Sequence, residues 1–225
     1  FLFMPCKDLI AYELKPLPDT GKVADALDSM EDAQLEQLPV VDEKGLYLGI
    51  LTFEMLSNTA PAATLKDLVH QMPLLKAAVN ERAFPYRAAK VMFDNGLDMV
   101  PVVNDADELQ GMIDKKNMLG FLVEQTGLLQ SGGIIILEVK SFNYSLSEIA
   151  RICETNDVLI LNLQIKSIPD EDALHIILKT NTRDLSAVQA AFSRYEYNVS
   201  VIEGDLNTNS LVQERYDLLM NFLKM

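Results

Sequence analysis

The chain has 225 residues, 49% of them hydrophobic, and its net charge is −14 at neutral pH because 33 acidic residues outnumber 19 basic ones. This apolar content suffices for one large or two smaller buried cores, so we do not expect disorder over most of the chain. The excess negative charge repels phosphate backbones and anionic lipid headgroups, and we therefore exclude nucleic acid and membrane surfaces as partners.

Cysteine content and apolar runs narrow the class of protein further. Cys6 and Cys153 have neither disulfide-framework nor metal-site spacing, which favours two buried thiols in a reducing, cytoplasmic compartment. The apolar runs starting at Ile134 and Val158 are far shorter than the roughly 20 residues of a membrane span, and we predict core strands instead. Phe1–Met4 is apolar but is not followed by a cleavage site, so we expect no secretory leader there.

A duplicated segment dominates the first half of the chain. The run Leu38-Pro39-Val40-Val41-Asp42 returns 62 residues later as Val100-Pro101-Val102-Val103-Asn104. The same offset relates Gly49 to Gly111 in the following segment, and Met30 to Met92 in the preceding one. A constant offset through several elements indicates an internal repeat.

Each copy is predicted to run strand, helix, strand, strand, helix. The turn Pro18-Asp19-Thr20 is predicted to cap the first helix. A short helical lead-in precedes each copy, at residues 6–10 and 64–69, and we place the two repeats at residues 5–62 and 63–126. Neither copy is large enough to bury both faces of its sheet, so we expect the two to pack as a pseudo-twofold pair.

A different pattern follows the break at Ser131-Gly132-Gly133. Four strands, at residues 134–140, 158–166, 173–180 and 198–202, alternate with two helices in the order β-α-β-β-α-β. This order predicts a ferredoxin-like antiparallel domain over residues 133–205, with Ser145 and Asp184 at its helix starts. Residues 208–225 predict an amphipathic C-terminal helix that packs either on its own domain or on another subunit.

The Pro-Val-Val strands, the Gly–hydrophobic–hydrophobic–Thr segment and the Pro-Asp-Thr turn resemble tandem cystathionine-β-synthase (CBS) domains over about residues 5–124. The resemblance implies an α/β fold that binds an adenine nucleotide in the cleft between the repeats. The ligand-contacting positions that it implies are Leu17, Leu38, Pro39, Thr52, Val79, Val100, Pro101, Asp114 and Asn117.

The family's ribose-binding pair is incomplete in both copies. The pair is a Ser or Thr followed three residues later by Asp, but Thr52 is followed by Met55, and Asp114 by Asn117. Thr52 and Asp114 are also favoured as helix N-caps whether or not a ligand binds. Asn117 is therefore the best single candidate for a ribose contact.

In order and length, the second half resembles an ACT domain, a regulatory fold that senses amino acids. Amino-acid-binding members place Pro-Gly after the first strand, whereas residues 141–145 contain no glycine and carry the bulky Tyr144. We therefore expect no amino acid in the usual place. The order of two CBS repeats and an ACT-like domain resembles bacterial AcuB-like proteins of acetoin utilisation.

These resemblances imply a non-enzymatic regulator. Its ligand would be AMP, ADP, ATP or S-adenosylmethionine, with no required cofactor, and its response would pass through a homodimer or an unidentified protein partner. The only histidines, His70 and His175, stand apart from each other, so we expect neither catalysis nor a metal site. The alternative is a ligand-free scaffold that serves only association.

Overall fold

The computed structural model describes residues 4–168 and 171–202. The chain divides into two compact units at the boundary between Phe121 and Leu122. The predicted C-terminal helix at 208–225 and the opening residues Phe1–Phe3 lie outside the described residues.

The first unit contains the two copies in the predicted order, which confirms the mixed α/β fold. A 3-10 turn at Cys6–Leu9 comes first. The first copy then comprises β1 (Leu17–Pro18), α1 (Val23–Ala33), β2 (Gln37–Val41), β3 (Tyr47–Thr52) and α2 (Phe53–Ser57). After the connecting helix α3 (Leu65–Gln71), the second copy comprises β4 (Val79–Asn80), α4 (Pro85–Asn95), β5 (Met99–Val103), β6 (Leu109–Asp114) and α5 (Lys115–Gln125).

Each copy forms a small mixed sheet. The first strand is parallel to the second, and the second is antiparallel to the third, giving the orders β1-β2-β3 and β4-β5-β6. The inward faces of α1 and α4 carry matching small and flexible residues, with Ala26 and Met30 buried in α1 and Ala88 and Met92 in α4. The helical period of these positions brings them onto one face, which packs on the sheet.

The start of α1 differs from the prediction. Pro18-Asp19-Thr20 forms the turn, but the helix begins one residue after Lys22, whose side chain makes no capping hydrogen bond. The Asp19 backbone N–H donates to the Val41 carbonyl, and the Asp19 carbonyl accepts from the Lys66 N–H. These hydrogen bonds connect the turn to β2 and α3 rather than to the start of α1.

The two lead-in segments are exchanged between the copies. Cys6–Leu9 bonds to the turn before α4, and the start of α3 bonds in the same way to the turn before α1. The corresponding backbone hydrogen bonds run from Cys6 to Ala83 (2.9 Å) and Lys7 to Glu81 (3.0 Å), and from Leu65 to Gly21 (2.9 Å) and Lys66 to Asp19 (2.8 Å). Each acceptor in the second copy lies 62 residues after its counterpart, so the exchange has the same pseudo-twofold character as the sequence repeat.

The copies also share a core and a seam. Leu65 and Leu68 of α3, with Met99 and Met112 of the second copy, are buried in one cluster with Met30 and other apolar residues of the first copy. At the seam, the Tyr47 N–H donates to the Asp107 carbonyl and the Leu109 N–H donates to the Gly45 carbonyl, both at 2.9 Å. The repeats therefore form one body, as a pair that cannot bury its apolar faces separately must do.

The second unit has the predicted ferredoxin-like topology. Its elements are β7 (Ile134–Lys140), a 3-10 turn at Ser141–Asn143, α6 (Leu146–Glu154), β8 (Ile160–Ile168), β9 (Ala173–Thr180), α7 (Ser186–Arg194) and β10 (Asn198–Ile202). The antiparallel sheet has the order β10-β7-β9-β8. Its buried face packs on Ile149 and Ile152 of α6 and on Val188 and Phe192 of α7. The Ser145 Oγ accepts from the Glu148 N–H at 3.3 Å, which confirms the predicted cap.

Candidate functional site

A cleft in the first unit brings together two of the predicted ligand contacts. It has a volume of about 460 Å³. Its lining comprises Glu13, Leu14, Lys15, Pro16, Leu17, Pro18, Ser29, Asp32, Ala33 and Leu38. This volume falls within the range of small-molecule sites, roughly 300 to 1,000 Å³.

Three segments of the first copy form this cleft. Leu17 lies in β1 and Leu38 lies in the parallel strand β2, two residues before Val40, the partner of Leu17. Helix α1 contributes Ser29, Asp32 and Ala33. We expected the ligand between the repeats, whereas every residue that lines this cleft belongs to the first copy.

The cleft combines an apolar wall with a few polar groups. Leu14, which is partly exposed, and the nearly buried Leu17 and Leu38 form the apolar wall. The Ser29 Oγ donates to the Asp25 carbonyl at 2.7 Å, so its lone pairs remain available to accept a hydrogen bond. The carboxylate of Asp32 can accept from vicinal hydroxyls, and the ammonium of Lys15 can pair with a phosphate.

Thr52 lies in a different part of the first copy. Its side chain accepts a hydrogen bond from the Met55 N–H at 3.2 Å and caps α2. It lines a separate cavity of about 550 Å³ together with Glu36, Gln37, Phe53, Glu54, Ser57 and Asn58. Pro39 is buried in β2 opposite Ile50 of β3. The structure therefore places Leu17 and Leu38 in one cleft and Thr52 in another cavity, and Pro39 lines neither of them.

The residues predicted to contact the ligand in the second copy have structural roles instead. Val79, Val100 and Pro101 are buried in the sheet. The Asp114 carboxylate accepts from the Asn117 N–H at 2.7 Å and caps α5. The Asn117 side-chain amide donates to the Leu9 carbonyl at 3.0 Å, so it holds the exchanged lead-in segment.

Sequence reasoning missed the polar groups of the cleft. Lys15, Ser29 and Asp32 belong to no motif, and only the outward position of Asp32 on the predicted helix signalled its availability. Asp19 was also missed as a buried polar residue: it is 5% exposed, and its Oδ1 has no hydrogen-bond partner among the described residues. A polar residue in a turn gives no sequence signal that it will be buried.

The second unit has a cleft beside the loop that follows β7. It measures about 280 Å³ and is lined by Val139, Asn143, Glu148, Tyr195, Glu196 and Tyr197. The Tyr197 hydroxyl donates to Glu148 at 3.0 Å, and burial, aided by this carboxylate, raises the pKa of Tyr197 to about 12. Two carboxylates, Glu148 and Glu196, thus line this cleft.

The remaining reactive groups lie in inert settings. Burial raises the pKa of the Cys6 and Cys153 thiols to about 11, so both are protonated and unreactive at neutral pH. Among the described residues, no cluster of three or more His, Cys, Asp or Glu side chains has metal-binding geometry. In the same part of the chain, every helix is too short or too polar to cross a bilayer.

Comparison with known proteins finds a matching family model. The family model for the CBS domain matches residues 6–58 and 76–124. Inosine-5'-monophosphate dehydrogenase of Helicobacter pylori is 30% identical over 97 residues, which cover 43% of this chain and 20% of the enzyme. The chain thus spans about a fifth of the length of the curated relatives it matches.

The comparison with solved structures gives partial matches. A CBS domain pair/ACT domain protein from Thermotoga maritima has 21% sequence identity and a TM-score of 0.49, with 54% of this chain and 98% of that chain covered. The CBS pair domain of a magnesium-transporter homologue from Shewanella oneidensis MR-1 has 21% identity and a TM-score of 0.48, with 55% and 72% covered. The family match places one stretch in each of the two interlocked β-α-β-β-α copies, so these two copies are similar to a tandem pair of CBS domains.

Proposed function

We propose that this protein is a non-enzymatic regulator that binds an adenine nucleotide or a related adenosyl compound in the cleft of the first CBS repeat. CBS domains commonly bind adenosine ligands and regulate other activities. The observation that carries the proposal is the coincidence, in one cleft of about 460 Å³, of an apolar wall with Lys15 and Asp32.

The groups of the cleft suit the three parts of a nucleotide. The adenine ring packs against the apolar wall, on which Leu14 is the partly exposed side chain. The ribose hydroxyls donate to Asp32, which accepts hydrogen bonds only. The phosphate pairs with Lys15, whose charge offsets the nearby Glu13. AMP meets these requirements with the fewest phosphates, and ADP, ATP and S-adenosylmethionine share its adenosyl part.

The signal requires a second state of the protein. A ligand shifts an equilibrium only by its differential affinity for the two states, so the cleft must change shape between them. We propose that the change passes to a homodimer contact or a protein partner, with the ferredoxin-like unit acting as an ACT-like module. The buried, protonated cysteines fit a cytoplasmic protein, and the domain order fits a bacterial AcuB-like regulator.

A ligand-free scaffold is the second candidate function. The incomplete ribose pairs favour it, because Thr52, Asp114 and Asn117 are all engaged in hydrogen bonds within the fold. Such a protein would keep the CBS architecture for association alone.

Thermal unfolding with added ligands separates the two candidates. We expect AMP, ADP, ATP or S-adenosylmethionine to raise the melting temperature, since a ligand at 100 times its dissociation constant stabilises the folded state by about 2.7 kcal/mol. Ala33→Trp fills the cleft and should remove this shift. The matched control is Asn95→Trp, at the equivalent position of the second copy, which should retain it. The absence of a shift with every ligand favours the scaffold.

A further inference from the structure

The sheet of the second unit has a second apolar face, opposite the one that packs on α6 and α7. Ile135 and Leu137 of β7 are fully buried on the helix side. Side chains alternate along a strand, so Ile134 and Ile136 point to the other side. Ile177 of β9 pairs with Ile136 and points the same way. All three isoleucines of this side, which we call the outer face, are partly exposed.

Polar residues surround this apolar centre. Two positions along β9 from Ile177, His175 lies opposite Glu138 of β7, and the two side chains approach to 3.8 Å. Gln164 of β8 and Ser200 of β10 are exposed on the flanking strands. An apolar surface rimmed by polar groups is typical of a contact surface.

The turn after α5 covers one end of the outer face. Lys179, the partner of Ile134, is 7% exposed, and its ammonium donates to the Gly132 carbonyl at 2.8 Å. A Cβ on Gly127 would lie 3.8 Å from the Lys179 Cγ, so this turn packs on the lysine side chain. The three isoleucines are therefore the part of the face that a further element can contact.

We propose that the C-terminal segment of the same chain, residues 208–225, covers these isoleucines. The segment lies outside the described residues, and its sequence predicts an amphipathic helix. The apolar stripe of that helix consists of Leu211, Val212, Leu218, Leu219, Phe222 and Leu223. Contact between the stripe and the outer face removes both apolar surfaces from water, which stabilises the folded state.

The path of the chain brings this segment within reach of the outer face. Strand β10 ends at Ile202, which pairs with Ile134. Residues 203–207 can span up to about 17 Å, which is enough to reach the middle of a sheet whose strands are about 5 Å apart. As a helix, residues 208–225 would be about 27 Å long, comparable with the roughly 23 Å of the seven-residue strand β7.

The covalent connection favours this segment over a second copy or another protein as the occupant. A short linker holds the segment at an effective concentration in the millimolar range, well above that of a separate chain. The net charge of −14 also makes separate copies repel each other, and a contact within one chain does not incur that repulsion.

The fluorescence of a single indole tests the proposal in the full-length protein, because the chain contains no tryptophan. Phe222→Trp introduces the indole on the apolar stripe, and the matched control Asp217→Trp introduces it on the opposite side of the predicted helix. We expect the acrylamide quenching constant of Phe222→Trp to be at least about threefold lower than that of the control, since a buried indole is shielded from the quencher.

Changes in the sheet identify the face that the segment contacts. Ile136→Lys/Ile177→Lys in the Phe222→Trp protein should raise the quenching constant to that of the control indole. Gln164→Lys/Ser200→Lys adds the same charge at the polar rim and should leave the indole protected. Circular dichroism checks folding. Ile136→Thr/Ile177→Thr, which keeps β-branched side chains, replaces the lysine pair if that variant does not fold.

Mixing distinguishes the same chain from a second copy. Phe222→Trp is refolded from urea with an excess of Ile136→Lys/Ile177→Lys, which carries no indole. A contact within one chain keeps the indole protected, whereas a contact between chains exposes it to the lysine-bearing sheet and the quencher. Equal quenching of the two indoles, protection that survives the sheet variant, or exposure in the mixture overturns the proposal. None of these measurements depends on an adenosyl ligand.

Discussion

Two glycines allow the exchanged segments to approach the sheets of the CBS pair. Gly49 in β3 has φ +144° and Gly111 in β6 has φ +153°, values that other residues rarely adopt. A Cβ on Gly49 would overlap Leu74, and one on Gly111 would overlap Ile10. The missing side chain at Gly49 thus leaves room for Leu74 of the connecting segment, and the one at Gly111 leaves room for Ile10 of the lead-in.

Replacing either glycine should destabilise the fold. We expect Gly49→Ala and Gly111→Ala each to lower the free energy of unfolding by about 2 kcal/mol or more, since overpacking adds to backbone strain. Gly120→Ala is the control: this residue lies in α5, its Cβ would meet nothing within 4 Å, and alanine should stabilise the helix by about 0.5 to 1 kcal/mol. Urea denaturation measures all three. Equal effects at Gly49 and Gly120 would contradict this account.

The lead-in turn is the element through which the first residues of the chain complete the second CBS repeat. Asn117 holds it through the Leu9 carbonyl, while the Ala11 N–H donates to Met112 of β6 at 2.8 Å. The first-copy position equivalent to Asn117 is Met55, whose side chain has no amide group to donate a hydrogen bond. The two exchanged segments are therefore fastened differently despite their common backbone pattern.

Removing the hydrogen bond from the Asn117 side chain to the Leu9 carbonyl should destabilise the lead-in turn. We expect Asn117→Ala to lower the free energy of unfolding by about 1 kcal/mol, the typical net value of one such hydrogen bond. Hydrogen exchange should accelerate at the Cys6, Lys7 and Ala11 amides. Asn58→Ala is the control. It removes the hydrogen bond from the Asn58 side chain to the Glu54 carbonyl at the end of α2, and it should leave the exchange rates of these amides unchanged. Unchanged exchange in Asn117→Ala would refute the fastening role.

The sequence pattern predicted the helices and strands but not which other segments each of them contacts. The repeat of Pro39 and Pro101, with the apolar residues around them, was sufficient to predict both β-α-β-β-α copies. The exchange of lead-ins was not predictable, because local patterns show that a segment is helical and not which copy it will contact. For the same reason Lys15 and Asp32 escaped prediction: they join Leu17 and Leu38 only after β1, α1 and β2 have packed.

At the scale of the whole molecule, the duplication creates two equivalent CBS repeats that have diverged in what they expose. The first retains a cleft with Lys15 and Asp32, whereas in the second the residue equivalent to Asp32 is Asp94, which pairs with Lys90. A fold that is nearly symmetric in its backbone can thus be asymmetric in binding. We therefore propose that the ligand binds to the first repeat alone.

The stoichiometry of AMP binding, measured by equilibrium dialysis with labelled AMP, tests this assignment most directly. We predict saturable binding of one AMP per chain, lost in Ala33→Trp and kept in Asn95→Trp. Two AMP molecules per chain, binding that survives Ala33→Trp, or no saturable binding would contradict it.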